Sequence, residues 1–231
     1  MSRVIDNYLA VKAEVEKACS DAGRNSNEVK LLVVSKTIPI PVLMELYDSG
    51  IREFGENREP ELAMKSAAMP QDIIWHFIGP VQSNKIRKVV KLARVIHSVE
   101  SLSQLERFER IAGEEQVSPE ILLEVNVSGE ASKGGMTPKD LPEIASVAAR
   151  CVNIKFKGLM TMAPFNADQQ ELISVFSGLC DLKSGIEKNC NINLPCLSMG
   201  MSGDFAEAIA CGATVVRVGS RIFEGIERIA K

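Results

Sequence analysis

Short apolar segments rich in β-branched residues alternate along the chain with longer segments of helical periodicity. The apolar segments are residues 31–36, 52–57, 73–79, 94–99, 121–127, 154–162, 196–201 and 214–220. Strands that are apolar on both faces need helices on both sides, which is the arrangement of a parallel sheet. Eight such units in 231 residues favour an α/β fold closed into a (β/α)8 TIM barrel, which typically takes ~250 residues. An open, doubly wound sheet is the alternative.

The first 23 residues predict an additional amphipathic helix before the barrel. Val4, Tyr8, Val11 and Val15 recur at helical spacing, and Gly23 ends the pattern. Acidic residues are scattered through this segment and it has no long apolar stretch, so we expect no secretory signal. We therefore predict one domain over residues 1–231, with this helix at the bottom or side of the barrel.

Charge and composition exclude several classes of function. The net charge of −3 argues against broad binding to nucleic acids or anionic membranes, and no apolar run approaches the ~20 residues of a membrane span. The six cysteines form no CxxC pair, and only two histidines are present, so a zinc site is not expected. Reduced thiols without an export signal predict a cytoplasmic protein.

The polar residues that end the predicted strands are the candidates for function, because barrel active sites lie at the C-terminal ends of the strands. Lys36 closes the first predicted strand. A lysine amine in a partly dry barrel mouth is a nucleophile that condenses with aldehydes. The alternative is a lysine whose stem packs at the strand end while its charge reaches water.

Two glycine–serine turns follow the last two predicted strands. Ser202 and Gly203 precede one helix, and Gly219 and Ser220 open another helical turn. Backbone N–H groups at such positions bind phosphate, and phosphate sites in barrels commonly use the loops after strands seven and eight. Ordinary helix capping is the alternative.

Arg217 is predicted to point into the barrel, because the period of two places it on one face with Val215 and Gly219. A buried guanidinium needs an acceptor, which is either a carboxylate such as that of Glu124 or an atom of a ligand. An amine, a phosphate cradle and an inward arginine at the same end of the barrel favour a phosphorylated aldehyde as the ligand. Pyridoxal 5′-phosphate carries all the matching groups.

The motifs VVSKT, FGEN, WHFIG with QSNK, LLEVNVSGEASKGG, KGLMTM, LSMGMSGDF and RVGSRIF occur in this order along the chain. Through these motifs the chain resembles the pyridoxal phosphate homeostasis protein family, and the resemblance covers essentially its whole length. The resemblance implies the fold-type III barrel of the alanine racemase N-terminal domain. Pro80 departs from the histidine that is usual in the family, and Ser220 stands where threonine is common.

The resemblance also implies a role for each candidate residue. Lys36 would form the internal aldimine, Asn57 would lie beside the cofactor, and Arg217 would face the pyridine nitrogen. The two phosphate-binding turns would be Ser202 with Gly203 and Gly219 with Ser220. No metal is implied.

We expect a non-catalytic, monomeric carrier that holds pyridoxal phosphate as a reversible Schiff base and supplies it to apo-enzymes. An arginine at the ring nitrogen donates without protonating it, which weakens the cofactor as an electron sink. Tyr8 and Tyr47 lie on predicted helices, so the second base of a racemase is missing. Lys133 is either a second amine for transfer or a surface lysine. The alternatives are an amino-acid racemase, a cofactor-free aldolase and a purely structural protein.

Overall fold

The computed structural model describes residues 2–130 and 133–229. Its eight parallel strands close into one barrel in sequence order, which confirms the predicted TIM barrel and excludes the open sheet. The strands are β1 (Lys30–Val34), β2 (Glu53–Glu56), β3 (Ile74–Phe77), β4 (Val95–Val99), β5 (Glu120–Glu124), β6 (Lys155–Met160), β7 (Cys196–Ser198) and β8 (Val215–Val218).

Helices form the outer layer of the barrel. They are α1 (Arg3–Asp21), α2 (Ile40–Asp48), α3 (Glu59–Ala68), α4 (Ile86–Leu92), α5 (Leu102–Glu114), α6 (Leu141–Ala148), α7 (Gln169–Cys190) and α8 (Phe205–Ala210). The strands are buried over most of their length, except at their N-terminal ends, because these helices cover them, which explains their apolar character. None of the helices among the described residues is both long and apolar enough to cross a membrane.

The additional N-terminal helix α1 packs on the side of the barrel, against α8 and α2. Val4, Val11 and Val15 form its buried stripe, as their helical spacing predicts. Asn7 Nδ2 donates to the carbonyl oxygens of Ile222 and Glu224 at 3.0 and 3.1 Å. Helix α1 therefore ties down the turn that follows β8.

The ring closes where β8 pairs with β1. Leu32 pairs with Arg217 and Val33 pairs with Val218 in a parallel register. Because the strands run parallel, the turns after β1, β7 and β8 all emerge at one end of the barrel, which we call the mouth. Several strands end earlier than the sequence predicts, β7 at Ser198 and β8 at Val218. Arg217 lies within β8, whereas the other predicted site residues lie in the connecting turns.

Candidate functional site

Lys36 lies in the turn just beyond β1. The strand ends at Val34, so Lys36 is not its last residue, and its side chain is exposed rather than partly buried as expected. Its Nζ atom makes no hydrogen bond or ion pair with any described residue. Thr37 follows with a φ of 63°, a strained conformation for a β-branched residue. The turn therefore leaves a free amine at the mouth.

A buried ion pair holds the backbone on which Lys36 sits. Lys65 of α3 donates to Glu56 Oε1 at 2.5 Å and to the carbonyl oxygen of Ser35 at 2.8 Å. The Ser35 hydroxyl also donates to Glu56 Oε1, at 2.7 Å. Burial raises the pKa of Glu56, while the Lys65 ammonium acts in the opposite direction. We call these three residues the clamp, because they join β1, β2 and α3 directly behind the Lys36 turn.

Asn57 directly follows β2, and its backbone lies against the end of the neighbouring strand. A Cβ atom on Gly79 would lie 2.2 Å from the Asn57 carbonyl oxygen, so only glycine permits this approach. The Asn57 side chain is partly exposed and makes no hydrogen bond within the described residues. Pro80 is exposed next to Gly79, beyond β3.

The two glycine–serine turns lie side by side at the mouth. Arg217 N donates to the Gly200 carbonyl oxygen at 2.9 Å and so joins the exit of β7 to β8. Ser202, Gly203 and Arg221 line a cavity of about 470 Å³ that lies between helices α1 and α8. A Cβ atom on Gly219 would lie 2.8 Å from the Val34 carbonyl oxygen, which places this turn against the end of β1.

The backbone donors of these turns are unpaired. The N–H groups of Ser202, Gly203, Gly219 and Ser220 donate to no acceptor within the described residues. Ser202 is not the cap of helix α8, whose N-cap residue is Asp204. Four free donors in two adjacent turns have the character of an anion cradle.

Arg217 points into the barrel, as the strand alternation predicts, and its residue surface is only 5% exposed. Nη1 donates to Ser198 Oγ at 2.7 Å, and Nη2 donates to the Thr161 carbonyl oxygen at 3.0 Å. Glu124, the carboxylate named as a possible acceptor, forms no ion pair with it in the described structure. Burial lowers the pKa of Arg217 to about 10, so it stays charged at neutral pH. Its remaining guanidinium N–H groups make no hydrogen bond within the described residues.

A pair of carboxylates lies near Arg217. Glu124 at the end of β5 is 5% exposed, and its Oε1 atom and Glu100 Oε2 each lie 3.3 Å from the position of a Cβ atom on Gly134. Burial first, and then the charge of Glu100, raise the pKa of Glu124 to about 7, against the opposing effect of Arg217. Lys133 precedes Gly134 in the loop beside this pair, so the loop after β5 reaches the carboxylates.

Sequence analysis assigns no role to Ser198 or to His97. Ser198 connects Arg217 to His97, whose Nδ1 atom lies 2.9 Å from Ser198 Oγ. Both residues are fully buried within apolar strands. A signal was present, because the only two histidines of the chain occur at the centres of consecutive strands, where apolar residues are usual.

Comparison with known proteins identifies the family. The family model of the alanine racemase N-terminal domain matches residues 10–226. The pyridoxal phosphate homeostasis protein of Aquifex aeolicus is 38% identical over 224 residues, which cover 96% of this chain and 95% of that protein. The chain belongs to the pyridoxal phosphate homeostasis protein family.

Two solved structures extend the comparison. PipY of Synechococcus elongatus PCC7942, solved with pyridoxal phosphate bound, is 36% identical to this chain, with a TM-score of 0.81. The match covers 90% of this chain and 99% of the PipY chain. Alanine racemase of Clostridium difficile 630 is 12% identical with a TM-score of 0.76. This chain is matched over its whole length but covers only 59% of the racemase, so that likeness concerns the barrel fold alone.

Proposed function

We propose that the chain binds pyridoxal 5′-phosphate at the mouth of the barrel and holds it reversibly for other proteins. One observation carries the proposal. The unpaired amine of Lys36 lies at the same end of the barrel as the four unpaired N–H groups of Ser202, Gly203, Gly219 and Ser220. A phosphorylated aldehyde fits both features at once. The PipY structure that holds this cofactor supports the assignment.

The residues present fit each part of the cofactor. The two glycine–serine turns would hold the phosphate, Arg217 would donate to the pyridine nitrogen, and Asn57 would lie beside the ring. Lys36 would supply the amine for the covalent bond. When bound, the cofactor supplies an aldehyde that condenses reversibly with amines.

Several features favour a carrier over an amino-acid racemase. Arg217 already carries its proton and can only donate, so it leaves the ring nitrogen unprotonated and the electron sink weak. Tyr8 lies on α1, and Tyr47 lies on α2 with its hydroxyl bonded to Asp72 at 2.8 Å. Both tyrosines are thus on outer helices. We infer that residues 1–231 act as one non-catalytic, cytoplasmic domain that supplies apo-enzymes.

Covalent labelling tests the proposal. We expect borohydride reduction of the protein loaded with pyridoxal phosphate, followed by proteolysis and mass spectrometry, to find the phosphopyridoxyl group on Lys36. Lys36→Ala should abolish the label and the visible absorption band of the bound cofactor. A label on another lysine in the wild-type protein would disprove the site.

Lys133→Ala is the matched control, because the sequence leaves Lys133 open as either a second amine for transfer or a surface lysine. We expect it to leave the Lys36 label intact, so that any defect appears only in the transfer of cofactor to an apo-enzyme. The same preparations should not interconvert the enantiomers of alanine. Racemisation that depends on Lys36 would show that the chain is an enzyme.

A further inference from the structure

A chain of hydrogen bonds crosses the barrel interior beneath the mouth. Starting from Arg217, it runs through Ser198 of β7, His97 of β4 and His76 of β3 to Glu53 of β2. His97 Nε2 and His76 Nδ1 are 2.9 Å apart, and His76 Nε2 lies 2.9 Å from Glu53 Oε2. We call these five residues the relay.

The relay connects the mouth to the opposite end of the barrel. Glu53 begins β2 and is also bonded to Lys30 Nζ, at 2.6 Å, where β1 begins. Lys30, His76 and His97 line a cavity of about 660 Å³ at this N-terminal end. The two histidines and Ser198 are buried, whereas the side chains of Lys30 and Glu53 are 46% and 25% exposed. The relay therefore has one end at solvent and the other beneath the mouth.

The chemistry of the two ends fixes the direction of every hydrogen bond. A guanidinium can only donate, so Ser198 Oγ accepts from Arg217 and its single proton is free for His97 Nδ1. His97 then carries its proton on Nε2 and donates it to His76 Nδ1. His76 in turn donates from Nε2 to the carboxylate of Glu53. Every contact is satisfied with both imidazole rings neutral.

The reverse direction is unfavourable. If His97 donated from Nδ1 to Ser198, His76 would have to donate from both nitrogens and become a buried cation. The charged groups that face the two rings are Lys30 of β1, Glu53 of β2, Glu120 of β5 and Arg217 of β8. Burial lowers the pKa of both histidines, most strongly that of His97. For Glu53, burial opposes ionisation, but hydrogen bonds from His76 and Lys30 lower its pKa to about 2.

We propose that His76 and His97, both neutral and protonated on Nε2, act through Ser198 as positioning residues that hold Arg217 as a fixed donor at the mouth. The inference rests on the proposed function, since it concerns the group that would face the pyridine nitrogen. Because Nδ1 of His97 accepts the hydrogen bond from the Ser198 hydroxyl, the relay has no free base that can take a proton from Arg217. The oriented hydrogen bonds also polarise Arg217 through the Glu53 carboxylate, although Arg217 has no direct carboxylate partner among the residues that the structure describes.

The tautomers can be measured without the cofactor. The chain has two histidines, so long-range ¹H–¹⁵N spectra of the untagged protein contain only two imidazole rings. At pH 7 we expect both rings to be neutral and protonated on Nε2, and to remain neutral at pH 5.5. A proton on Nδ1 of either ring would overturn the relay.

Ser198→Ala tests the positioning role. It should shift the His97 Nδ1 resonance, because that nitrogen loses its donor, and raise the Kd for pyridoxal phosphate about tenfold through the loss of a hydrogen bond to a charged group. Ser198→Thr, which keeps the hydroxyl, should restore both values. Ser98→Ala is the matched control, because Ser98 is equally buried beside His97 but donates to the Gly79 carbonyl oxygen at 2.5 Å. It should leave the His97 Nδ1 resonance unchanged.

The outcomes separate this inference from the proposed function. If both rings show the predicted tautomers but Ser198→Ala leaves the Kd for pyridoxal phosphate unchanged, the positioning role is overturned. Wild-type protein that fails to bind pyridoxal phosphate would overturn the proposed function, while the tautomer measurement would still decide whether the relay exists.

Discussion

Glu124 ends β5 with its carboxyl group buried beside Glu100 and near the charge of Arg217. Its pKa lies near 7 in the folded chain, compared with an ordinary value of 4.5. The folded protein therefore binds this proton more tightly than the unfolded chain does. The stabilisation from this proton is complete below pH 4.5 and is lost as the pH rises through 7.

We expect Glu124→Gln to stabilise the cofactor-free protein only at pH values at which the carboxyl group of Glu124 would be ionised. At pH 8 its free energy of unfolding should exceed that of the wild type by up to about 3 kcal/mol, which is the equivalent of this pKa shift. At pH 5 the two proteins should differ little. Urea denaturation at both pH values measures the difference, and a gain of the same size at both would contradict the assignment.

Strand alternation made Arg217 predictable as an inward residue, but it did not reveal the acceptors. The pattern of a single strand tells which face a residue occupies, whereas Ser198 ends β7 and Thr161 directly follows β6, and both contact Arg217. Their distance depends on the stagger of the closed barrel, which no local pattern encodes. The exposure of Lys36 was missed for a similar reason, because the left-handed turn at Thr37 is not marked by a glycine.

At the scale of elements, the clamp joins helix α3 to the first two strands. Its ion pair is almost completely buried, with side-chain exposures of 1% for Lys65 and 0% for Glu56, and Glu56 Oε2 has no hydrogen-bond partner within the described residues. Removing only the cation would leave an uncompensated buried carboxylate. The local pattern of α3 gave no indication of this pair, because both charges fit an ordinary helix and strand end.

Lys65→Met should destabilise the protein by about 3–5 kcal/mol, the usual loss when one partner of a buried pair is removed. The double variant Lys65→Met/Glu56→Gln should recover much of this loss, because no charge then remains buried. Lys91→Met is the matched control, since Lys91 pairs with Glu115 at the surface, and it should cost less than about 1 kcal/mol. Equal losses in the two single variants, measured by urea denaturation, would show that the clamp adds nothing beyond a surface pair.

At the scale of the whole molecule, closure of the barrel was the most predictable feature. Eight apolar segments, each separated by enough chain for a helix, leave few ways to cover both faces of a parallel sheet. The sequence does not decide whether α1 packs at the bottom or on the side of the barrel, because its apolar stripe is compatible with both positions. The contacts with α2 and α8 decide this point.

A closed barrel has no unpaired strand edge to recruit a second copy. We therefore expect a monomer in solution, with a mass near 25.2 kDa by light scattering, both with and without pyridoxal phosphate. A mass twice as large that persists on dilution would contradict this expectation. It would also require a surface of the outer helices to act as a dimer interface.

The last residue that the structure describes, Ile229, lies against the Lys36 turn, where its N–H group donates to the Thr37 carbonyl oxygen at 2.9 Å. Because Ile229 contacts Thr37, a purification handle or fluorescent partner attached on the C-terminal side of Ile229 would emerge close to Lys36, the proposed cofactor lysine, and crowd the mouth. A fusion before Ser2 would start from a helix on the flank of the barrel instead. Immobilisation and tagging strategies should therefore use the N-terminal side if the entrance is to stay open.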